Sequence, residues 1–167
     1  FPIEDYYKRV GFDFDKIPFS MLAHEYMEDY QEKSYACDLH SDVLDVVNKA
    51  KNLGFSQTVL SASKMDYLLK QMETLHVDDL FDSIYGINDI YAKSKVELAH
   101  AFKQTCSLDD EIYFVGDSVH DYEVAKSIGA KCILVTTGHQ NRATLESVNV
   151  PVMDSLMESL DLIYERD

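Results

Sequence analysis

Glu111-Ile112-Tyr113-Phe114-Val115-Gly116-Asp117-Ser118-Val119-His120-Asp121 is the stretch that decides the fold. Ile112 to Val115 has the length and the β-branched and aromatic content of a buried strand. The run stops at Gly116, and carboxylates follow at Asp117 and Asp121. A helical pattern then runs from Asp121 to Ile128, with Val124, Ala125 and Ile128 apolar and Gly129 beyond it. A strand leading through a turn into a helix places that turn at the carboxyl edge of an α/β sheet, where open parallel sheets hold their ligands. Two acids at such an edge suit a hard divalent cation, which takes oxygen ligands. A plainer use also exists, because Asp117 or Ser118 can cap the helix that follows.

The same alternation extends on both sides. Gln57 to Leu60 reads as a strand ending in Ser61-Ala62-Ser63, followed by a helix from about Met65 to Leu75. Phe81 to Gly86 reads as a strand, and Ser94 to Gln104 as an amphipathic helix with Val96, Leu98, Ala99 and Phe102 apolar. Cys132 to Val135 is an apolar strand ending in Thr136-Thr137-Gly138-His139. A helix near Arg142 to Val148, a strand from Val150 to Met153 and a helix from Ser155 to Tyr164 complete the chain. Strands alternating with helices predict an α/β fold, a parallel sheet covered by helices on both faces. Ahead of it, Ser41 to Leu53 is a helix that starts at a capping residue and stops at Gly54.

Residues 3 to about 36 read as helical and rich in tyrosine. Pro18 suits a first helical turn, and Phe19, Leu22, Ala23, Tyr26 and Met27 recur at spacings of three and four. Glu25, Glu28, Asp29, Glu32 and Lys33 form the opposite face. Composition shifts near Cys37 to Leu39, which divides the chain into residues 1–37 and 38–167.

With 167 residues and 46% hydrophobic content, the chain is long enough for one domain with a real core and a small appendage. Thirty acids against fifteen Lys and Arg give a formal charge of −15. Such a surface repels phosphodiester backbones and anionic membranes, so neither nucleic acid nor membrane is an expected partner. An anionic small molecule remains compatible, because a metal ion or a lysine reverses the field within one cleft. Cys37, Cys106 and Cys132 lack metal-type spacing and read as buried thiols in a reducing compartment. No apolar run reaches membrane-spanning length and no signal peptide opens the chain, so the expected address is cytoplasmic. The sequence starts at Phe1 rather than at Met.

Three strand ends thus carry polar groups: Ser61, the Asp117/Asp121 pair, and Thr136 with Thr137. Lys95 opens a helix nearby in sequence, with Lys93 as a close competitor. A hydroxyl with adjacent backbone N–H groups, an ammonium and a metal-binding acid pair are the parts of a phosphoryl-transfer site. In this order the residues resemble the haloacid dehalogenase (HAD) superfamily, and within it the phosphoglycolate-phosphatase-like branch. Leu60-Ser61-Ala62-Ser63 resembles its second motif, Lys95 its third, and Gly116-Asp117-x-x-x-Asp121 its fourth. The resemblance implies a Rossmannoid core over residues 38–167 and a partial helical cap over residues 1–37. It further implies Ser61 and Lys95 as catalytic groups, with Ser61, Ala62 and Lys95 binding phosphate. Asp117 and Asp121 are implied to bind Mg2+, and a small phosphorylated metabolite is the implied substrate. The oligomeric state is not legible.

One departure matters. The family's first motif, an apolar strand ending in Asp-x-Asp, supplies the nucleophile, and no such strand precedes Ser61. The one Asp-x-Asp is Asp13-Phe14-Asp15, preceded by Tyr6-Tyr7-Lys8-Arg9 and followed by Lys16 and Pro18. It reads as a loop between cap helices, with Asp15 a candidate cap for the next one. By resemblance the absent strand stands mid-sheet, between the strands that end at Ser61 and Gly116. Its removal leaves two rows of unpaired backbone about 10 Å apart. Each buried unpaired group costs roughly 1–3 kcal/mol. The expectation is therefore that the natural protein carries this strand before Phe1. The main functional expectation is a magnesium-dependent phosphatase acting through an aspartyl phosphate. The rival is a catalytically inactive phosphate- or metal-binding domain on the same scaffold. A receiver-like domain fits less well, because its acid pair belongs at the first strand.

Overall fold

The computed structural model describes residues 7–16, 18–87 and 94–165. Lys93 lies outside them. Contacts divide the chain into two compact units, Phe1–Asp38 and Leu39–Asp167.

In the first unit, residues 7–9 are helical and helix α1 spans Phe19–Ser34. The helical region expected from residue 3 is divided where the loop around Asp13-Phe14-Asp15 was expected. The amides of Gly11 and Phe12 turn back onto the carbonyls of Lys8 and Tyr7, and residues 11–16 form turns. Edge-on aromatic pairs brace the turn, Tyr7 with Phe12 at 5.0 Å and Phe14 with Phe19 at 5.6 Å between ring centroids. Pro18 occupies the N-cap position of α1 rather than its first turn, and no side chain caps that end, so Asp15 does not serve as the cap. Asp13 Oδ1 instead accepts the Asp15 amide at 3.1 Å, and its other oxygen pairs with Lys16.

The second unit begins with helix α2, Val43–Asn52. The residue at its N-cap is Asp42, not Ser41, and the Asp42 carboxylate accepts the amides of Leu156 and Met157 instead. Strand β1 (Thr58–Lys64), helix α3 (Met65–Thr74) and strand β2 (Ser83–Ile87) follow. Helix α4 is Lys95–Thr105, β3 Tyr113–Gly116, α5 Val119–Ser127 and β4 Lys131–Val135. Helix α6 (Arg142–Glu146), the two-residue β5 (Val152–Met153) and α7 (Leu156–Tyr164) complete it.

Every strand pair is parallel, as predicted, and helices cover both faces. In β4, Cys132 and Leu134 pack with Ala125 and Leu145, while the alternate residues Ile133 and Val135 are equally buried. Burial on both faces is why this strand reads as an unbroken apolar run. Each fully buried aliphatic side chain contributes about 1.5–3 kcal/mol. All three cysteines are free, but only Cys132 is buried; Cys37 is exposed and Cys106 half-buried, contrary to the expectation of three buried thiols. Burial, helped by the Asp121 charge, pushes the Cys132 thiol up to about 12.

The strands form two sheets rather than one: β1–β2, and β3–β4–β5. Among the described residues, β1 has a partner only in β2 and β3 only in β4. Side chains hold the halves together, since Leu60 of β1 and Phe114 of β3 pack on one cluster with Ala99, Val124 and Ile128. A cavity of about 500 Å³ is lined by Thr58 and Leu60 together with Tyr113 and Phe114. A second, of about 340 Å³, meets Gln57, Thr58, Tyr113 and Val115. Val115 retains 37% exposure, although it sits inside a strand of a helix-covered sheet.

Candidate functional site

The turn after β3 is organised by one carboxylate. Ser118 Oγ accepts the Asp121 amide at 3.2 Å, and Asp121 Oδ2 accepts the Asp117 and Ser118 amides at 3.1 Å each. Ser118 Oγ–H donates to the same oxygen at 2.7 Å. This reciprocal capping box satisfies donors that a helix start leaves orphaned. The plain capping use of Ser118 is therefore real, and Asp121 shares in it. Gly116 makes room for the arrangement: a Cβ there would stand 2.3 Å from the Asp121 Cβ.

The other Asp121 oxygen holds Lys95. This lysine is the first residue of α4, whose N-cap Ser94 accepts the Glu97 amide at 3.3 Å. Lys95 Nζ lies 2.6 Å from Asp121 Oδ1, with side-chain exposures of 19% and 4%. Its ammonium also sits 5.5 Å from the centre of the Phe114 ring, within cation–π range. The pair cancels its own charge and is nearly closed to water.

Asp117 is placed differently. Its Oδ2 accepts the His139 amide at 2.9 Å and lies 3.2 Å from His139 Nδ1. Burial opposes ionisation of Asp117, but the His139 amide and ring outweigh it and hold the carboxyl below its ordinary range. No hydrogen bond among the described residues uses Oδ1. The backbone of Gly138 runs hard against this side chain, so that a Cβ there would fall 1.9 Å from Oδ2. Gln140 Oε1 accepts the Val119 amide at 2.8 Å, the first residue of α5.

Lys95, Asp117 and Asp121 are thus gathered at the carboxyl end of β3. Among the described residues, no hydrogen bond or ion pair joins Ser61 or Ala62 to that group. Strand β1 also runs further than expected, so Ser61 lies within it. Its pairing with β2 breaks after Leu60 and resumes at Lys64, and Ser61 Oγ accepts the Ser63 amide at 3.1 Å inside the irregular stretch. His139 and Gln140 were not singled out by sequence reasoning. The signal available was the Gly-His-Gln run directly after a buried strand.

Magnesium can be tested against these donors. No group of three or more His, Cys, Asp or Glu side chains converges as a cation cage among the described residues. Asp121 has both oxygens spent, which counts against direct coordination. Asp117 Oδ1 remains, and its carboxyl is held ionised. A magnesium ion keeps several waters and uses only one or two carboxylates plus phosphate oxygens. A single oxygen on a fixed, ionised acid fits as one contributor to such a shell.

Comparisons with known proteins bear on the family and the fold. The family model described as haloacid dehalogenase-like hydrolase matches residues 1–135. No curated protein matches the chain by sequence. A haloacid dehalogenase-like hydrolase from Streptococcus pneumoniae superposes with a TM-score of 0.81 at 20% identity, covering 93% of this chain and 73% of its own. A predicted phosphatase from Clostridium acetobutylicum gives 0.79 at 20% identity over 97% and 76%. A predicted phosphoglycolate phosphatase from Haemophilus somnus gives 0.69 at 18% identity over 87% and 66%. At these identities the structures establish the fold.

Proposed function

The chain belongs to the haloacid dehalogenase-like hydrolases, and from that membership we propose that it forms the phosphate- and magnesium-binding side of a phosphomonoesterase. The observation that carries this reading is the grouping of Lys95, Asp117 and Asp121 at the carboxyl end of β3. In it, Asp117 would hold Mg2+ through Oδ1, while Asp121 fixes Lys95 and the turn. Lys95 donates to the phosphoryl oxygens, and Ser61 with the Ala62 amide holds the phosphate from β1. Magnesium at this position would neutralise charge building on the transferring phosphoryl group. The local charge favours that requirement. The Lys95–Asp121 pair is neutral and Asp117 adds a negative charge, so an arriving phosphate dianion meets repulsion until a divalent cation reverses the field.

The nucleophile belongs, in this reading, to a strand standing between β1 and β3. The edges of both strands that carry no strand partner among the described residues, and the two cavities between them, support this. An aspartate at that strand's carboxyl end would attack phosphorus, form an aspartyl phosphate and release the alcohol. Water would then hydrolyse the acyl phosphate. Asp13 is a poor source, because it lies in a turn after a short helical stretch rather than at a strand end, with its oxygens on the Asp15 amide and Lys16. The substrate proposed is a small phosphorylated metabolite. Without the strand, the same residues would bind phosphate and metal without turnover, which is the alternative reading.

Asp117→Asn in the full-length protein tests the assignment. The variant should need much more magnesium for half-maximal phosphatase activity, by about 10–100-fold in line with losing a charged ligand atom. An unchanged magnesium titration would remove Asp117 from the metal.

A further inference from the structure

The contacts after β4 reach the site from outside the motif residues. Val119, the first residue of α5, carries one of the amide donors that a helix start leaves without an intrahelical acceptor. Its partner is Gln140 Oε1, at 2.8 Å. The residue before Gln140 is His139, whose amide and ring both engage Asp117 Oδ2. Two adjacent residues therefore grip the two sides of the Asp117–Val119 turn. Gly138 closes the approach, because its backbone lies where a Cβ would strike the Asp117 carboxylate. The amides of Asp117 and Ser118 are already taken by Asp121, so the backbone of the turn is fixed. What this leaves undetermined is the direction of the Asp117 side chain, and His139 sets it. Among the described residues, the contacts tying residues 138–140 to this turn are the His139 bonds and the Gln140 bond.

We propose that Gln140 is a positioning residue: by bracing residues 138–140 on the start of α5, it keeps His139 on Asp117 Oδ2 and reserves Oδ1 for a cation. Gln140 touches neither substrate nor metal in this account. It acts as the outer member of a relay, Val119 amide to Gln140, Gln140 through the chain to His139, and His139 to Asp117. Outer-shell partners of this kind govern metal affinity by fixing ligand orientation. The metal part of the claim rests on the assignment of Asp117 as a magnesium ligand.

The test uses the full-length protein with two substitutions. Gln140→Leu removes the acceptor at similar size, and Gln140→Glu keeps an oxygen at the same reach. Two readouts are needed: amide hydrogen exchange without metal, and Mg2+ binding by calorimetry. In Gln140→Leu, the Val119 and His139 amides should both exchange at least about tenfold faster, with β4 amides unchanged. Mg2+ affinity should fall about tenfold. Gln140→Glu should restore protection at both amides. Opening at Val119 with His139 still protected would overturn the relay, as would two open amides with unchanged Mg2+ affinity. If the unsubstituted protein takes up no Mg2+, the reading of Asp117 fails by itself. The His139 amide in Gln140→Leu then still decides the positioning claim: faster exchange upholds it and wild-type protection refutes it.

Discussion

Lys95→Met is expected to abolish phosphatase turnover in the full-length protein and to destabilise the fold by about 3–5 kcal/mol. The second figure is the cost of removing one partner of a buried ion pair and leaving the other charge uncompensated. The pair qualifies by its 2.6 Å separation and by the 4% exposure of Asp121. Methionine keeps most of the length of the stem, so the loss measures charge rather than volume. The kinetic loss has a separate origin, because Lys95 is the cation proposed to meet the phosphoryl group, and preorganised contacts of that kind are worth about 3–4 kcal/mol of barrier each. The double variant Lys95→Met/Asp121→Asn separates the two effects. Denaturant unfolding should show it recovering much of the stability, since no charge is then left buried and unpaired. Activity should not return. Lys93→Met should cost little in either assay, and the reverse order of the two lysines would move the third motif two residues earlier.

Gly138→Ala should cut Mg2+ affinity by about 10–100-fold while leaving the fold nearly as stable as before. The new methyl would fall 2.3 Å from the Asp117 Cβ and closer still to Oδ2, so the carboxylate must leave its place on His139 or the loop must move. Either displaces the proposed metal ligand, whereas Gly138 itself is exposed and supports no core contact. Gly116→Ala gives the contrasting result. There the methyl would strike the Cβ of buried Asp121, inside the capping box and the lysine pair, so stability should fall by about 1–3 kcal/mol as for other overpacked sites. Calorimetric titration with Mg2+ and unfolding midpoints on both variants check the pair. Equal stability losses at the two glycines would mean that Asp117 has no separate role.

The Ile112–Asp121 stretch was legible because a buried strand, a turn and a capped helix each leave a local mark. The position of β4 was legible for the same reason, since burial on both faces requires an unbroken apolar run. A loop around Asp13–Asp15 was legible too, but its closure by the Tyr7–Phe12 and Phe14–Phe19 ring pairs was not, because aromatic residues at helical spacing read as a helix face. The true length of β1 was hidden by Ser61-Ala62-Ser63, small polar residues that mark a strand end and an irregular stretch alike. The sequence pattern paired Asp117 with Asp121 as equals. Their division of labour depends on Lys95, 26 residues earlier, and that contact is made by the fold rather than by spacing. His139 and Gln140 were missed because they act through one amide and one side-chain oxygen, which carry no periodic signal. Asp42 shows the same limit: Ser41 was read as the cap of this helix, while the residue at its N-cap, Asp42, turns its carboxylate to the start of α7.

In the proposed reading, residues 1–167 hold the phosphate and metal side of the site while the nucleophile stands on a strand between β1 and β3. The most direct measurement is magnesium-dependent hydrolysis of an aryl phosphate by the 167-residue chain alone, beside its Asp13→Asn variant. That reading expects no turnover from either, and turnover once a segment carrying an apolar strand that ends in Asp-x-Asp is supplied. Turnover by the chain alone that disappears in Asp13→Asn would contradict it and make Asp13 the nucleophile.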